Sequence, residues 1–205
     1  SDYLYRLATD KEKGFKAGVL KIFLLILSWI YGALIRILIF LSRLHQRRLS
    51  CKVVSIGNIT VGGTGKTPMV ELVARYLKKQ SHHVAILSRG YKRKLSTYDL
   101  PAKSYELIGD EPYMLKEKLG DMPLLVDADR IRSALIAVHD YGVDTVILDD
   151  GFQQWKIKKD LEIVTINAAD PFGNRHMLPR GILREPLCSL KRADVFVLNK
   201  SDLCR

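Results

Sequence analysis

The sequence has few cysteines and no spacing that would organise them. Its 205 residues include only three, Cys51, Cys188 and Cys204, and no C-x-x-C pair. An odd number without paired spacing argues against a disulfide framework and a structural zinc site, and suits a reducing compartment. Internal repeats and low-complexity tracts are also lacking. The hydrophobic content of 47%, with 27% charged residues, excludes a disordered chain.

A long uncharged apolar run is missing as well. The most apolar segment extends from Val19 to Leu41, but its longest uncharged stretch, 22–35, falls short of the about 20 residues that span a bilayer. Counting on to Leu41 places Arg36 inside the run. In helical projection the segment is an apolar cylinder with one narrow polar stripe, made of Lys21, Ser28, Gly32, Arg36 and Arg43.

This pattern favours a helix that lies in the membrane interface, with the Lys and Arg side chains of the stripe reaching the headgroups. Nine Lys or Arg against three Asp or Glu in residues 1–50, within a net charge of +11, would add attraction to an anionic surface. The alternatives are a single span, internal packing and, least favoured, a cleaved signal peptide. We expect no nucleic-acid binding, because the positive charge adjoins Leu and Ile rather than an aromatic stacking surface.

From Cys51 onward, apolar runs of strand length alternate with helical spacing. This alternation predicts an α/β fold with a mainly parallel sheet, helices on both faces, and ligands beyond the carboxyl ends of the strands. We therefore predict a membrane-associated helix over residues 1–50 and a nucleotide-binding core over residues 51–205. The predicted strands are Lys52–Ile56, His83–Leu87, Pro123–Val126, Thr145–Leu148, Leu161–Ile166 and Val195–Leu198, and the predicted helices are Pro68–Lys79, Glu111–Leu119 and Ile131–Tyr141.

The strongest motif follows the first of these strands, at residues 60–67. It matches the phosphate-binding loop G-x-x-x-x-G-K-S/T, except that Thr60 replaces the first glycine. Glycines at 62, 63 and 65 would let backbone N–H groups converge on phosphate oxygens. Lys66 would neutralise the phosphates, and Thr67 would offer its hydroxyl to magnesium. A glycine-rich turn without function is the alternative, and the GKT sequence directly after a strand disfavours it.

Two adjacent carboxylates end a later apolar strand, in Leu148-Asp149-Asp150-Gly151-Phe152-Gln153. Such a pair supplies the second magnesium contact of a phosphate-loop enzyme. If strand geometry continues through both residues, Asp149 and Asp150 point to opposite faces, and only one meets the metal directly. An acidic turn without a metal is the alternative.

Four other segments are ambiguous when read alone. Asp110 in Gly109-Asp110-Glu111-Pro112 is typical of a helix N-cap. Arg130 and Arg184 are each placed to clamp a transferring phosphoryl group or to form a surface ion pair. The basic loop from Arg89 to Lys94 is suited either to an anionic substrate or to solvent.

Together these motifs resemble the tetraacyldisaccharide 4′-kinases, the lipid A 4′-kinases of Gram-negative bacteria. The resemblance covers residues 20 to 200. It is carried, in the family's order, by Ser55 to Thr67, Leu87 to Arg93, Gly109 to Pro112, Asp129-Arg130, Leu148 to Gln153, Leu178-Pro179 and Leu183 to Pro186. The chain departs from the family pattern at Gln154, where His is usual, at Arg180, where LPAG has Ala, and at Ile182.

The resemblance implies that ATP phosphorylates the 4′-hydroxyl of a tetraacyldisaccharide 1-phosphate in lipid A biosynthesis, with Mg²⁺, at the cytoplasmic face of the bacterial inner membrane. It implies a P-loop kinase core and a C-terminal lobe that we expect to be missing from this chain. Asp110 becomes the candidate base, and Lys66, Arg130 and Arg184 the groups that stabilise phosphoryl charge. The remaining implied contacts are Thr60, Gly62, Gly63, Thr64, Gly65, Lys66 and Thr67 for ATP, Thr67, Asp149, Asp150, Gln153 and Glu185 for metal, and Asn58, Arg89, Tyr91, Lys92 and Arg93 for the substrate.

One motif supports a different function, a membrane-associated GTPase switch. Asn199-Lys200-Ser201-Asp202 follows a predicted strand and matches the N-K-x-D pattern with which GTPases read guanine. The motif is short and often occurs by chance. The D-x-x-G spacing that such a switch also needs is lacking after Asp149, so the kinase is the favoured interpretation. A non-catalytic nucleotide-binding scaffold at the membrane is the remaining alternative.

Overall fold

The computed structural model describes Leu7, Asp10, Glu12, residues 14–89 and residues 110–201, with the side chains of 110–114 excepted. Each strand and helix predicted from Cys51 onward is present, with ends that differ by at most two residues. Helix α2 starts earlier than predicted because Gly65, in the left-handed conformation, forms its N-cap. The elements are α1 (Phe15–Leu44), β1 (Lys52–Gly57), α2 (Lys66–Lys79), β2 (Val84–Ser88), α3 (Asp110–Leu119), β3 (Leu124–Val126), α4 (Arg130–Tyr141), β4 (Thr145–Asp149), β5 (Leu161–Asn167), a 3₁₀ helix (Leu187–Arg192) and β6 (Val195–Asn199).

The strands form one six-stranded sheet in the order β3-β2-β4-β1-β5-β6. Strand pairs β1–β4, β2–β4 and β2–β3 are parallel, which confirms the predicted mainly parallel sheet. In the β1–β4 pair, Ile56 lies opposite Asp149. The carboxyl ends of these two strands are therefore level, and the chain that leaves β1 starts at the same sheet edge as the acidic turn.

The chain divides into two compact units that are discontinuous in sequence. Unit 1 comprises residues 1–45, 58–64 and 164–205, and unit 2 comprises residues 46–57 and 65–163. Strand β5 contributes residues to both. These units do not correspond one to one with the predicted segments 1–50 and 51–205, and that boundary stays a prediction.

The core of unit 2 lies around its central strands. All five residues of β2 and all five of β4 are buried. Strands covered on both faces are apolar throughout rather than alternating, which is why the sequence shows these segments as short apolar runs. Ala134 and Ala137 of α4 pack into the same cluster as Val53, Leu87, Leu125 and Val146.

Helix α1 in unit 1 buries Ser28 and Gly32 of its polar stripe and exposes most of its large apolar side chains. Ser28 donates a hydrogen bond of 2.7 Å to the carbonyl of Met177, and a methyl group at Gly32 would meet the Met177 sulfur at 3.2 Å. Lys21 pairs with Asp10 at 2.7 Å. The expectation that the Lys and Arg side chains of the stripe reach lipid headgroups is therefore wrong for Lys21, because its ammonium pairs with Asp10.

The ion pair at the start of α1 includes a third residue. The Arg180 guanidinium lies 2.7 Å from the same Asp10 oxygen. The hydrogen bond from Lys21, reinforced by Arg180, lowers the pKa of Asp10 to about 2. Arg180, one of the three departures from the family pattern, thus holds the segment that precedes α1.

Gly57, the last residue of β1, gives the first testable prediction. A Cβ there would lie 2.5 Å from the backbone nitrogen of Phe152, a residue with no exposed surface. We expect Gly57→Ala to lower the free energy of unfolding by about 1–3 kcal/mol, because the overlap is with backbone. Urea unfolding of the purified protein measures this change.

The matched control for Gly57→Ala is Gly18→Ala on α1, where an added Cβ meets nothing within 4 Å. That variant should be stabilised slightly or unchanged, since Ala is favoured over Gly in helices by up to about 1 kcal/mol. Equal stability of the two variants would contradict the close approach of β1 and the Phe152 turn.

Candidate active site

Two glycines of the glycine-rich segment have backbone conformations that favour glycine. Gly62 has φ +119° and Gly65 has φ +77°. Gly65 precedes α2 directly, and no side chain caps the helix start. The first N–H groups of an uncapped helix favour an anion. This is the local geometry that the phosphate-loop motif predicts.

Thr64 is a buried residue of this segment, and two hydrogen bonds within unit 1 hold it. Its hydroxyl lies 2.9 Å from that of Thr165 on β5, and its carbonyl accepts a hydrogen bond of 2.6 Å from the side chain of Asn199 at the end of β6. Asn199 is the first residue of the N-K-x-D pattern. In the structure its amide N–H contacts the loop backbone.

Lys66 and the acidic turn meet in unit 2. The Lys66 ammonium lies 3.5 Å from a carboxylate oxygen of Asp150. Strand geometry does not continue through both aspartates, because β4 ends at Asp149 and Asp150 is left-handed with φ +54°. For a residue with a side chain this conformation is uncommon, and it occurs where the surrounding structure imposes it.

Asp149 is buried behind the turn and has a partner that the sequence analysis missed. Its Oδ2 accepts a hydrogen bond of 2.9 Å from the hydroxyl of Ser88, the last residue of β2. Leu87 pairs with Leu148 across the two strands, so the residues that follow them are neighbours. A serine at the end of a wholly apolar strand was the available signal, but the strand order needed to use it is not in the sequence.

Arg130 is the most buried cation of unit 2 and is only 2% exposed. Its Nη1 donates to the carbonyl of Asp127, while Nε and Nη2 have no hydrogen-bond partner among the described residues. Burial lowers its pKa to about 10, against the opposing effect of Asp149. Arg130 stays charged at neutral pH, and its Nε and Nη2 atoms fit an anionic ligand, because buried donors without partners are destabilising.

Arg184 and Asn58 are neighbours within unit 1. An Arg184 side-chain nitrogen lies 3.4 Å from the Asn58 oxygen, and the Arg184 backbone N–H donates to the Ile59 carbonyl at 2.8 Å. Asn58 is fully buried, and its amide donates to the carbonyl of Thr60. The observed role of Asn58 is to shape the start of the loop, and its contact with a substrate stays a prediction.

Glu185 has no exposed surface, and both of its carboxylate oxygens accept hydrogen bonds from Arg192, at 2.9 and 3.2 Å. Bidentate pairs of this kind are among the strong charge-assisted contacts in proteins. A magnesium ion at Glu185 would compete with this pairing. Its role as a metal ligand stays a prediction.

The other predicted residues are less constrained. Thr60 is buried and bridges to Leu183, whereas Thr67 and Gln153 are half-buried and Arg89 is exposed. Asp110 is the first residue of α3, but its side chain lies outside the described atoms, as do Tyr91, Lys92 and Arg93 as whole residues. Within the described part of the chain, no group of three or more His, Cys, Asp or Glu residues could hold a metal. Magnesium does not require such a group, since one or two carboxylates together with substrate phosphates bind it.

Comparisons with known proteins agree with this geometry. The family model described as tetraacyldisaccharide-1-P 4′-kinase, LpxK, matches residues 20–204. The tetraacyldisaccharide 4′-kinase of Halothermothrix orenii is 37% identical over 97% of this chain and 54% of its own length, and that of Syntrophotalea carbinolica is 38% identical over 87% and 53%. The crystal structure of LpxK from Aquifex aeolicus in complex with ATP has a TM-score of 0.80 and 36% identity, over 90% of this chain and 60% of that one.

The chain thus spans about half the length of the curated relatives that it matches. Within that span lie, in chain order, the glycine-rich loop, Arg130 and the acidic turn. With a family model that matches nearly the whole sequence, the chain belongs to the tetraacyldisaccharide-1-P 4′-kinase family.

Proposed function

We propose that this chain is part of an enzyme that transfers the γ-phosphoryl group of ATP to the 4′-hydroxyl of a tetraacyldisaccharide 1-phosphate. The observation that carries the proposal is the group of charges at one sheet edge of unit 2. It consists of Lys66 beside Asp150, the buried Asp149, and Arg130, whose Nε and Nη2 have no partner among the described residues. Phosphoryl transfer depends mainly on positioning and electrostatic stabilisation, and this group of charges supplies both.

In the proposed reaction, backbone N–H groups of residues 62–67 and the ammonium of Lys66 hold the phosphates of ATP. A bond forms between the 4′-oxygen and the γ-phosphorus as the bond from that phosphorus to ADP breaks. Asp110 accepts the hydroxyl proton. Arg130 and Arg184 stabilise the charge on the transferring group, as guanidinium groups do in other phosphoryl-transfer sites.

Magnesium would be held by the hydroxyl of Thr67 and by Asp149 or Asp150, with Gln153 and Glu185 as the further predicted ligands. The ion would neutralise phosphate charge when bound. The Asp149 carboxylate suits such a ligand, because the hydrogen bond from Ser88 fixes its orientation. Asp150 differs in that its carboxylate already lies beside Lys66.

The substrate explains why a nucleotide-binding sheet is joined to an apolar helix. Helix α1 is long and apolar enough to cross a membrane by length and composition. Its exposed side chains include Phe15, Trp29 and Phe40, each more than 60% exposed. We propose that α1 lies in the interface at the cytoplasmic face of the bacterial inner membrane, where the acyl chains of the substrate remain. Arg36 and Arg43, both exposed, would contact headgroups.

The GTPase alternative is less favoured than the kinase. The family match and the ATP complex of the Aquifex aeolicus protein both favour a kinase. The side-chain amide of Asn199, on which guanine recognition would depend, donates to the backbone of Thr64. Tighter binding of GTP than of ATP, measured by calorimetric titration, would revive this alternative.

Loss of Lys66 or Asp110 tests the proposed transfer directly. In detergent micelles, the complete gene product that contains this chain should phosphorylate the tetraacyldisaccharide 1-phosphate with ATP. Lys66→Ala and Asp110→Ala should each reduce kcat by about 10²–10³-fold, the usual loss for a group that stabilises or deprotonates in the transition state. Lys78→Ala, at the other end of α2, is the control. Nucleotide binding by the unmodified protein without lipid phosphorylation would overturn the kinase proposal.

Substitution of each aspartate separately identifies the metal contact. We expect Asp149→Asn to raise the Mg²⁺ concentration for half-maximal rate by about 10–100-fold, because Asp149 is the fixed, buried carboxylate. Asp121→Asn, on an exposed turn before β3, should leave the Mg²⁺ dependence unchanged. If Asp150→Asn shifts the Mg²⁺ dependence and Asp149→Asn does not, the metal contact is Asp150.

Binding to vesicles tests the role of α1. The triple variant Ile26→Ser, Ile30→Ser, Ile37→Ser removes apolar side chains that are each more than half exposed. Its affinity for vesicles of phosphatidylglycerol and phosphatidylethanolamine should fall at least about tenfold, since each fully buried isoleucine contributes about 1.5–3 kcal/mol. Cosedimentation measures this affinity. The control Leu72→Ser, Leu135→Ser removes leucines that are equally exposed on α2 and α4 and should bind as the unmodified protein does. Equal loss in both variants would exclude α1 as the membrane contact.

A further inference from the structure

Several contacts hold the acidic turn of unit 2, residues 149–152, in place. The Gly151 backbone N–H donates to the Ile56 carbonyl at 3.0 Å, and the space beside Gly151 is closed by Ser55 and Leu148. Phe152, which follows, is fully buried. The left-handed Asp150 therefore lies between a buried strand end and a buried aromatic side chain. Contacts that hold residues 151 and 152 also hold the carboxylates that precede them.

The side chain of Lys159 contacts the backbone of this turn. Its ammonium donates to the carbonyl of Gly151 at 2.7 Å and to that of Phe152 at 3.3 Å. It also donates to Glu162 at 2.5 Å and lies 5.9 Å from the centroid of the Phe152 ring. An ammonium has three N–H donors, and here three oxygens accept them, two of which are backbone carbonyls of the turn.

Both members of the ion pair are buried. The side chains of Lys159 and Glu162 are 10% and 5% exposed. A buried pair of this kind gains little net stability, because its desolvation offsets most of the attraction. A lysine on the surface would be enough if Lys159 only kept the protein soluble. The sequence suggests no other role, because Lys159 ends the short basic run Lys156-Ile157-Lys158-Lys159. The ammonium has been placed instead on the carbonyls of the turn.

We infer that Lys159 is a positioning residue that fixes the turn carrying Asp149 and Asp150 for phosphoryl transfer. The inference rests on the proposed function. Without the ammonium, the carbonyls of Gly151 and Phe152 lose their charged donor, and Glu162 loses its counter-ion. The turn is then free to leave the left-handed conformation at Asp150. The Lys159 hydrogen bonds given above go to the turn and to Glu162, so nucleotide binding should change less than turnover does.

A purely structural role for Lys159 makes a different prediction. The buried pair would then support the fold, and its removal would lower the free energy of unfolding without changing the properties of the molecules that remain folded. A positioning role changes kcat and the Mg²⁺ dependence of folded molecules. The two roles therefore separate when activity is normalised to the folded fraction.

The experiment compares three variants of the complete gene product in the micelle assay. Lys159→Met keeps the length of the side chain and removes its charge, Lys159→Arg restores the charge, and Lys158→Met alters the exposed neighbour. We expect Lys159→Met to lower kcat by about 10–100-fold and to raise the Mg²⁺ concentration for half-maximal rate, the range found when a contact behind a metal ligand is lost. KM for ATP should stay within about threefold, Lys159→Arg should recover part of kcat, and Lys158→Met should match the unmodified protein.

Unchanged kcat and Mg²⁺ dependence in folded Lys159→Met would overturn the inference while leaving the proposed function intact. Should Lys159→Met fail to fold, Lys159→Gln provides the test, because it removes the charge and keeps a neutral N–H donor near the turn and Glu162. Its kcat and Mg²⁺ dependence should shift in the same direction, and no shift would overturn the inference.

Failure of the unmodified protein to phosphorylate the lipid would instead count against the proposed function. The role of Lys159 is then tested by calorimetric titration, which measures the affinity for ATP with and without Mg²⁺ and does not require phosphoryl transfer. Mg²⁺ should strengthen ATP binding to the unmodified protein several-fold more than binding to Lys159→Met, in line with the metal-ligand contacts it supports. An equal effect of Mg²⁺ on both proteins would overturn it.

Discussion

The parallel pairing of β1 with β4 is the constraint on which the candidate site depends. Because Ile56 lies opposite Asp149, the glycine-rich segment and the acidic turn start from the same edge of the sheet. A shift by one residue would exchange the two faces of β4 and turn Asp149 away from Ser88. The register is fixed by close contacts at the strand ends, where Gly57 admits the backbone of Phe152 and Gly151 fits beside Ser55. Packing of the strand ends thus sets the position of the charges.

The charges of unit 2 are arranged for a ligand as much as for stability. Lys66 and Asp150 form a pair at 3.5 Å, longer than a close ion pair. Arg130 is buried, and its Nε and Nη2 have no partner among the described residues. This arrangement of Arg130 is unfavourable in the free protein and becomes favourable when a ligand such as phosphate supplies acceptors. Natural proteins accept such local losses at functional sites and offset them in the core, here through the wholly buried strands β2 and β4.

Sequence patterns predicted the strands, the helices and the phosphate-loop geometry, because each of these depends on residues that are close in the chain. The contacts that were missed join residues far apart in sequence. The Ser88–Asp149 hydrogen bond requires the β2–β4 register, and the Lys159 contacts require the chain to return beneath the acidic turn. The left-handed Asp150 was missed for a related reason, since strand alternation was extended one residue beyond the strand. Asn199 shows a contact of the same long-range kind, since its side-chain amide donates to the backbone of Thr64, 135 residues away in the chain.

The burial pattern of helix α1 differs from that of a helix in a protein core. A core helix buries its apolar side chains and exposes its polar ones. In unit 1, α1 exposes most of its large apolar side chains and buries Ser28 and Gly32. Ser28 donates to the carbonyl of Met177, and Tyr31 donates to the carbonyl of Arg184 at 2.9 Å. The internal packing considered for this segment would leave its isoleucines, leucines and Trp29 in water. A lipid interface would cover them, and the docked polar residues would then fix how the segment that contains Arg184 faces the membrane. Because Ser28 and Gly32 of the polar stripe pack against protein, the large apolar side chains of α1 face outward. This exposure is what favours the proposed membrane contact.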